Sequence, residues 1–365
     1  GVGIWPAPSG GGDVYSMRVN GTLTPGTSTV RYSGVNGAGD VGVTTITYNS
    51  VQFSGAETYE LEGNLTGGNT MTGNLTIDLN STLDASNGNN YNIALAGNWD
   101  NNWVFTPRAG TVTFNAAAGT QTIDNGVSSF WRLTLSNAGI KQLNTNNLDV
   151  NGDFSLQGGT FDANGLNQNY GGSVSLSANT TYTKGGIFSF DPEVVVTYTD
   201  SNDTKQNIGI VQLSSVDVVL PDNTVTLLSS MTVDTMTINV LNFLDLNSNG
   251  YTLNLANAGA AATVLTVNGT LTPGTNSTVQ YSATNAGGDV NVTTTAYNSV
   301  RFSGAETYVL TGNLTGGNAL TGGVTIDLGA ILDTVAGQNY NINLAGNWSN
   351  FGTFTPRSNT VTFNA

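Results

Sequence analysis

Any chemistry in this chain must be done with carboxylates, amides and hydroxyls. Its 365 residues include no His and no Cys, so the usual general base, the activated thiol and the main transition-metal ligands are absent. The string most like a ligand set is Asp245-Leu-Asn247-Ser-Asn249-Gly250, which matches the front of a calcium loop: hard oxygens at alternate positions, then a Gly for the bend. Its twelfth position, where a bidentate Glu belongs, is Ala256. Asp245, Asn247 and Asn249 are thus an incomplete calcium set, and Asp-initiated turns explain the same spelling. The related turns begin at Asp84, Asp162 and Asp333. No other cofactor is expected.

Carboxylate pairs could serve a polysaccharide-active enzyme. Here the carboxylates are scattered, and Asp78 and Asp327 occupy equivalent places in two long copies of one sequence. A catalytic site is made once, so residues returning with the scaffold period read as scaffold, and the expectation is no enzyme. Glu57, Glu60 and Glu62 return only partly, as Glu306, Val309 and Thr311, and read as a solvated face. Thr111-Val-Thr113 and Thr360-Val-Thr362 fall short of an ice-binding face, which needs such a pair on many successive rungs. Trp99 and Trp348, both in Gly-Asn-Trp, are candidates for stacking on sugar faces, but core packing is the favoured reading.

The elements that would position these groups come from a repeat. Pro25, Pro107, Pro192, Pro273 and Pro356 are spaced 82, 85, 81 and 83 residues apart, and each is followed by a β-branched run ending in an aromatic, from Val30-Arg31-Tyr32 to Val361-Thr362-Phe363. The units run approximately 29–110, 111–194, 195–277 and 278–359, with a partial unit at each end. Asn20 to Ala116 also reads against Asn268 to Ala365 at an offset of 248 or 249 residues. Ala365 falls where Ala116 falls in the first copy, which points to a longer natural polypeptide or to another copy meeting it there.

Inside the first unit the β-rich runs centre on Val30, Val51, Leu75, Ile93 and Val112, and in the last on Val279, Val300, Val324, Ile342 and Val361. A step of roughly 21 residues suits one coil of a parallel β-solenoid, and some seventeen rungs would fill the chain. With Gly 47, abundant Asn and Thr, and only 9% charged residues, the composition favours strands and tight turns over helices. The predicted fold is therefore all-β: a single elongated parallel β-helix over 18–365, preceded by a non-repeat arm or cap at 1–17. The alternative is a string of antiparallel β-sandwich domains.

The run Leu344-Ala-Gly-Asn-Trp-Ser-Asn-Phe-Gly-Thr-Phe-Thr-Pro-Arg-Ser-Asn-Thr-Val-Thr-Phe-Asn-Ala365 resembles the repeat regions of very large secreted bacterial surface proteins, with autotransporter-like and haemagglutinin-like β-helices. The resemblance implies an extracellular, cell-surface, structural or adhesive β-helix and brings no catalytic residue.

Nine Lys plus Arg against 24 Asp plus Glu give a net charge of −15 without a basic cluster, which disfavours nucleic acid and anionic membranes. No apolar run is long enough to span a membrane. The leading expectation is a structural protein that builds a surface fibre by end-to-end association with other copies of itself. The runner-up is an adhesin passenger binding glycans or other surface proteins, and a polysaccharide-active β-helix enzyme is third. The assembly candidates are Thr360, Val361 and Phe363 at one end and Ile4, Trp5, Pro6 and Pro8 at the other. The two prolines deny a ladder its donors, while Ile4 and Trp5 offer apolar surface to a neighbouring subunit.

Overall fold

The structure, a computed structural model, describes residues 14–15, 17, 19–37, 39–192, 194–214, 223–286 and 288–364. The chain forms a β-solenoid of about 15 turns. It falls into two compact units, Gly1–Tyr170 with Asn179–Gly185, and Gly171–Ala178 with Gly186–Ala365. Every strand pairing described is parallel, which excludes the string of antiparallel sandwiches. Among the described residues the only helical turns are the short Gly67–Asn69 and Gly316–Asn318.

Each coil is three-sided. In the first unit, face one is a ladder running through Thr29–Tyr32, Ser50–Phe53, Leu75–Ile77, Trp99–Asn101, Thr120–Asp124, Ile140–Leu143, Thr160–Asp162 and Thr181–Thr183. Face two begins with Val41–Val43, Thr58–Leu61, Thr82–Asp84 and Val104–Thr106. Face three holds Ile93–Leu95, Thr111–Phe114, Arg132–Leu135 and Phe154–Leu156, and Leu65 and Met71 join it through single bridges to Ile93 and Leu95. In the second unit Thr278–Tyr281, Ser299–Phe302, Val324–Ile326 and Trp348–Asn350 rebuild face one. Alternation in most strands sends one set of side chains to the core and the next to solvent, while Val41–Val43 and Ile93–Leu95 are buried throughout.

The register corrects the column read from sequence. Val30, Val51 and Leu75 do stack, but Leu75 pairs with Trp99, 24 residues on, and not with Ile93. Ile93 begins the column Ile93, Val112, Leu133 and Phe154 on face three. In the last copy Val324 likewise pairs with Trp348, while Ile342 pairs with Val361. All three faces are apolar runs of similar spelling, so the eye slides from one to the next. The coils are also longer than the expected step where corners are wide, which is why about 15 turns replace some seventeen.

Two features fix the corners and the interior. Where face three meets face one, a Cβ on Gly97 would stand 2.2 Å from the carbonyl carbon of Gly73, and one on Gly346 would stand 2.5 Å from that of Gly322, so only glycine allows these turns to stack. Inside, Tyr32, Tyr48, Phe53 and Tyr59 form a buried aromatic cluster rebuilt by Tyr281, Tyr297, Phe302 and Tyr308. The hydroxyls of Tyr32 and Tyr48 share a hydrogen bond of 2.6 Å and Tyr48 donates to Thr44 O, so the phenols are not left unpaired in the core.

Candidate functional site

The Asp-rich turns are built by one device. Asp84, Asp124, Asp162, Asp245 and Asp333 each end or closely follow a strand and accept, through Oδ1, the backbone N–H two residues on. The residue so held is left-handed in every case: Ser86, Gly126, Asn164, Asn247 and Val335. In the would-be calcium string, Asp245 Oδ1 thus accepts from Asn247 N at 2.9 Å, Asn247 Oδ1 accepts from Ser248 N at 2.6 Å, and Asn249 is exposed. Among the described residues, no group of three His, Cys, Asp or Glu is placed to hold a metal ion.

Two of these aspartates carry a second interaction that sequence reasoning missed. The Thr-Pro-Arg turn, noticed only for its proline, places Arg108 in left-handed backbone and aims its guanidinium at Asp84 one coil below: Nε to Oδ1 at 2.8 Å and Nη2 to Oδ2 at 2.5 Å. Arg357 repeats this on Asp333 at 3.0 and 2.6 Å. The Arg357 hydrogen bonds hold the Asp333 carboxyl below the usual carboxylate range. These forks clamp successive coils at one corner. The signal was available, since Asp at offset 24 from Arg recurs in both long copies.

Other carboxylates are likewise in use. Glu57 accepts from Asn36 N and Thr58 N, and Glu306 from Asn285 N and Thr307 N, so both cap a turn. Asp78 accepts from Gln52 Nε2 at 2.9 Å and Asp327 from Arg301 Nε at 2.8 Å. Burial raises the Asp100 carboxyl above its ordinary range, with Asp124 and Asp78 adding to the rise while a bond from Asn102 opposes it.

Trp99 and Trp348 hold equivalent positions on face one in different surroundings. Trp99 is 1% exposed; its ring lies against Phe105, Phe114 and Phe130, and its Nε1 donates to Asn125 Oδ1 at 2.9 Å. It is core and offers no face to a sugar. Trp348 keeps the contact with Phe354, at 4.8 Å between centroids, but is only half-buried.

The comparison extends to the C-terminal assembly candidates. Val361 and Phe363 pair with Ile342 and Leu344, and Thr360 N donates to Asn341 Oδ1 at 2.7 Å. Their counterparts Val112 and Phe114 pair on one side with Ile93 and Leu95 and on the other with Leu133 and Leu135. Phe114 is fully buried; Phe363 is 61% exposed. What covers the first copy is the coil from Thr120 to Leu135, with Phe130 packed on Trp99, Phe105 and Phe114. The N-terminal candidates Ile4, Trp5, Pro6 and Pro8 lie outside the described residues.

No family model, curated protein or solved structure matches this chain.

One buried cation also escaped the sequence. In Ile140–Leu143 the alternation turns Lys141 inward, wholly buried between Gln121 and Phe161 on neighbouring coils, and its Nζ donates to Asn137 O at 2.8 Å and Gly139 O at 3.0 Å. Burial lowers its ammonium to about 8. No helix of the described residues is long and apolar enough to cross a membrane.

Proposed function

We propose that this chain is a structural element of an extracellular surface fibre, in which β-solenoid subunits associate end to end. The observation that carries the reading is the coil-on-coil parallel ladder, spelled alike in residues 20–116 and 268–365. In the first copy the strand Thr111–Phe114 takes a further coil on its ladder, and the like-spelled strand Val361–Phe363 carries the same pairing groups, which a coil of another copy can meet. Contact between unlike ends does not close on itself and gives a filament. The β-helix repeat, the low charge content and the lack of His and Cys support a secreted bacterial surface protein of the autotransporter-like or haemagglutinin-like kind, with a scaffold role and no catalysis.

Negative-stain imaging across a concentration series tests this, with Phe363→Asp as the comparison. Filaments are expected from the parent and isolated particles from the variant, because the substituted carboxylate would be buried unpaired at the junction. Isolated particles from the parent at every concentration would overturn the proposal.

A further inference from the structure

The outer side of face one in the second unit carries a groove of about 550 Å³. Strand register alone builds its floor. Gln280, Arg301, Thr325 and Ser349 are Cα partners on successive coils, and they alternate with buried Val279, Val300 and Val324, so their side chains point outward about 4.8 Å apart. Asn298 and Asn347 stand at the corner that forms one wall.

The first unit differs at the matching corner. A separate groove of about 220 Å³ there shares the positions of Asn74, Thr76, Asn98 and Asp100 and otherwise runs on to Thr122, Asp124 and Asn144 on later coils. There Asn74 overhangs the corner, and its Oδ1 accepts the Asn98 N–H at 2.8 Å. The matching residue in the second unit is Gly323, where Asn347 O comes within 2.4 Å of any Cβ, so no side chain can hang there. Ser349 also replaces Asp100 and removes a carboxylate from the floor.

The lining decides the ligand class. It is mainly hydroxyls and amides, which both donate and accept, and its polar surface outweighs its apolar surface, so it suits a polar guest better than a hydrophobic one. It contains no carboxylate to hold a cation. Its one guanidinium, Arg301, is already paired with Asp327 at 2.8 Å on a chain of net charge −15, which disfavours an acidic polymer. A peptide strand finds no free ladder over most of the floor, because Thr278–Tyr281, Ser299–Phe302 and Val324–Ile326 are each paired on both sides. What fits is a neutral, hydroxyl-rich chain that can follow the rungs. We propose that this groove binds a neutral glycan lying across successive coils of face one.

The proposal does not depend on end-to-end association, so the two fail separately. Titration of the full chain with cellohexaose, mannohexaose and chitohexaose, with polygalacturonate as the acidic control, tests it by isothermal calorimetry or ligand-observed NMR. At least one neutral hexasaccharide is expected to bind and polygalacturonate is not. Thr325→Tyr fills the floor with a residue suited to strands and should weaken binding by roughly tenfold or more, while Thr76→Tyr, in the narrower groove, leaves it unchanged. Should Thr325→Tyr fail to fold by circular dichroism, Gln280→Ala decides, with a severalfold loss expected. Absence of binding by all three neutral probes, binding of polygalacturonate equal to theirs, or full affinity in the folded floor variants would overturn the proposal.

Discussion

Residues 20–116 and 268–365 are two solutions to the same sequence pattern, and their differences sort by direction. Inward positions and several corner devices hold: the Tyr-Tyr-Phe-Tyr cluster, the stacked glycines and the Arg-Asp fork occur in both. Outward positions drift. Arg31 bonds Ser54 and Gln52 bonds Asp78 in the first copy, whereas Gln280 bonds Ser303 and Arg301 bonds Asp327 in the last, so the arginine has moved up one coil while the bonding pattern survives. The scaffold is therefore specified from inside, and whatever distinguishes one copy from the other is written on the outer face and on whichever coil lies uncovered.

The harshest way to break the comparison is to charge the shared core. Ile93→Asp and Ile342→Asp each bury a carboxylate without a partner, and each should cost several kcal/mol, on the order of 4, in urea denaturation. If either melts with the parent, its inward assignment is wrong. A sharper version uses a tryptophan pair whose surroundings differ. Trp99→Ala should cost about 3 to 5 kcal/mol, and Trp348→Ala roughly half as much under conditions where the protein is unassembled, because half-buried Trp348 has less to lose. Equal losses would mean that covering by the next coil contributes little.

Alkaline titration separates a feature found only in the first unit. Lys141 titrates at about 8 in the folded chain against 10.5 ordinarily, so the unfolded chain holds the extra proton between those values and stability should rise with pH across that window. Buried tyrosines act in the opposite sense: burial pushes Tyr59 up to about 12, so stability is lost as pH climbs from 10 through 12. A stability maximum between pH 9 and 10 is expected. Lys141→Met should abolish the rise and leave the fall, and a profile flat from pH 8 to 10 in the parent would refute the buried ammonium.

The smallest effect is a gain. Val335 is β-branched at φ 66, where the first copy has Ser86 at φ 72. Val335→Asn should stabilise by roughly 0.5 to 1 kcal/mol, since Asn tolerates this conformation far better. No gain in melting temperature would mean that local packing compensates for the strain.

Much of this was legible in the chain before its structure. Composition, the Thr-Pro beat and the alternating runs lead to a parallel solenoid, and Asp followed by Asn or Gly reads correctly as a turn. The columns were not legible, because stacking depends on how many residues each corner consumes. The step of 18 from Leu75 into Ile93 marks the slide from face one to face three, since Leu75 pairs with Trp99, 24 residues on, whereas Ile93 and Val112 are true partners 19 apart. Lys141 was missed because a lysine in an alternating strand is taken to face water, and only backbone carbonyls at a tight corner make its burial tolerable. The Arg-Asp fork joins residues 24 apart, a distance with meaning only once the coil length is known.

The most direct test of the proposal that a coil of another copy pairs with the coil from Trp348 to Phe363 is the emission of Trp348 alone. In the 365-residue chain with the four other tryptophans changed to Phe, Trp348 emission should start at a wavelength typical of partial exposure and shift to the blue as concentration rises, reaching that of a matching protein that retains only Trp99. Emission that stays at the partly exposed position in assembled protein would contradict the account.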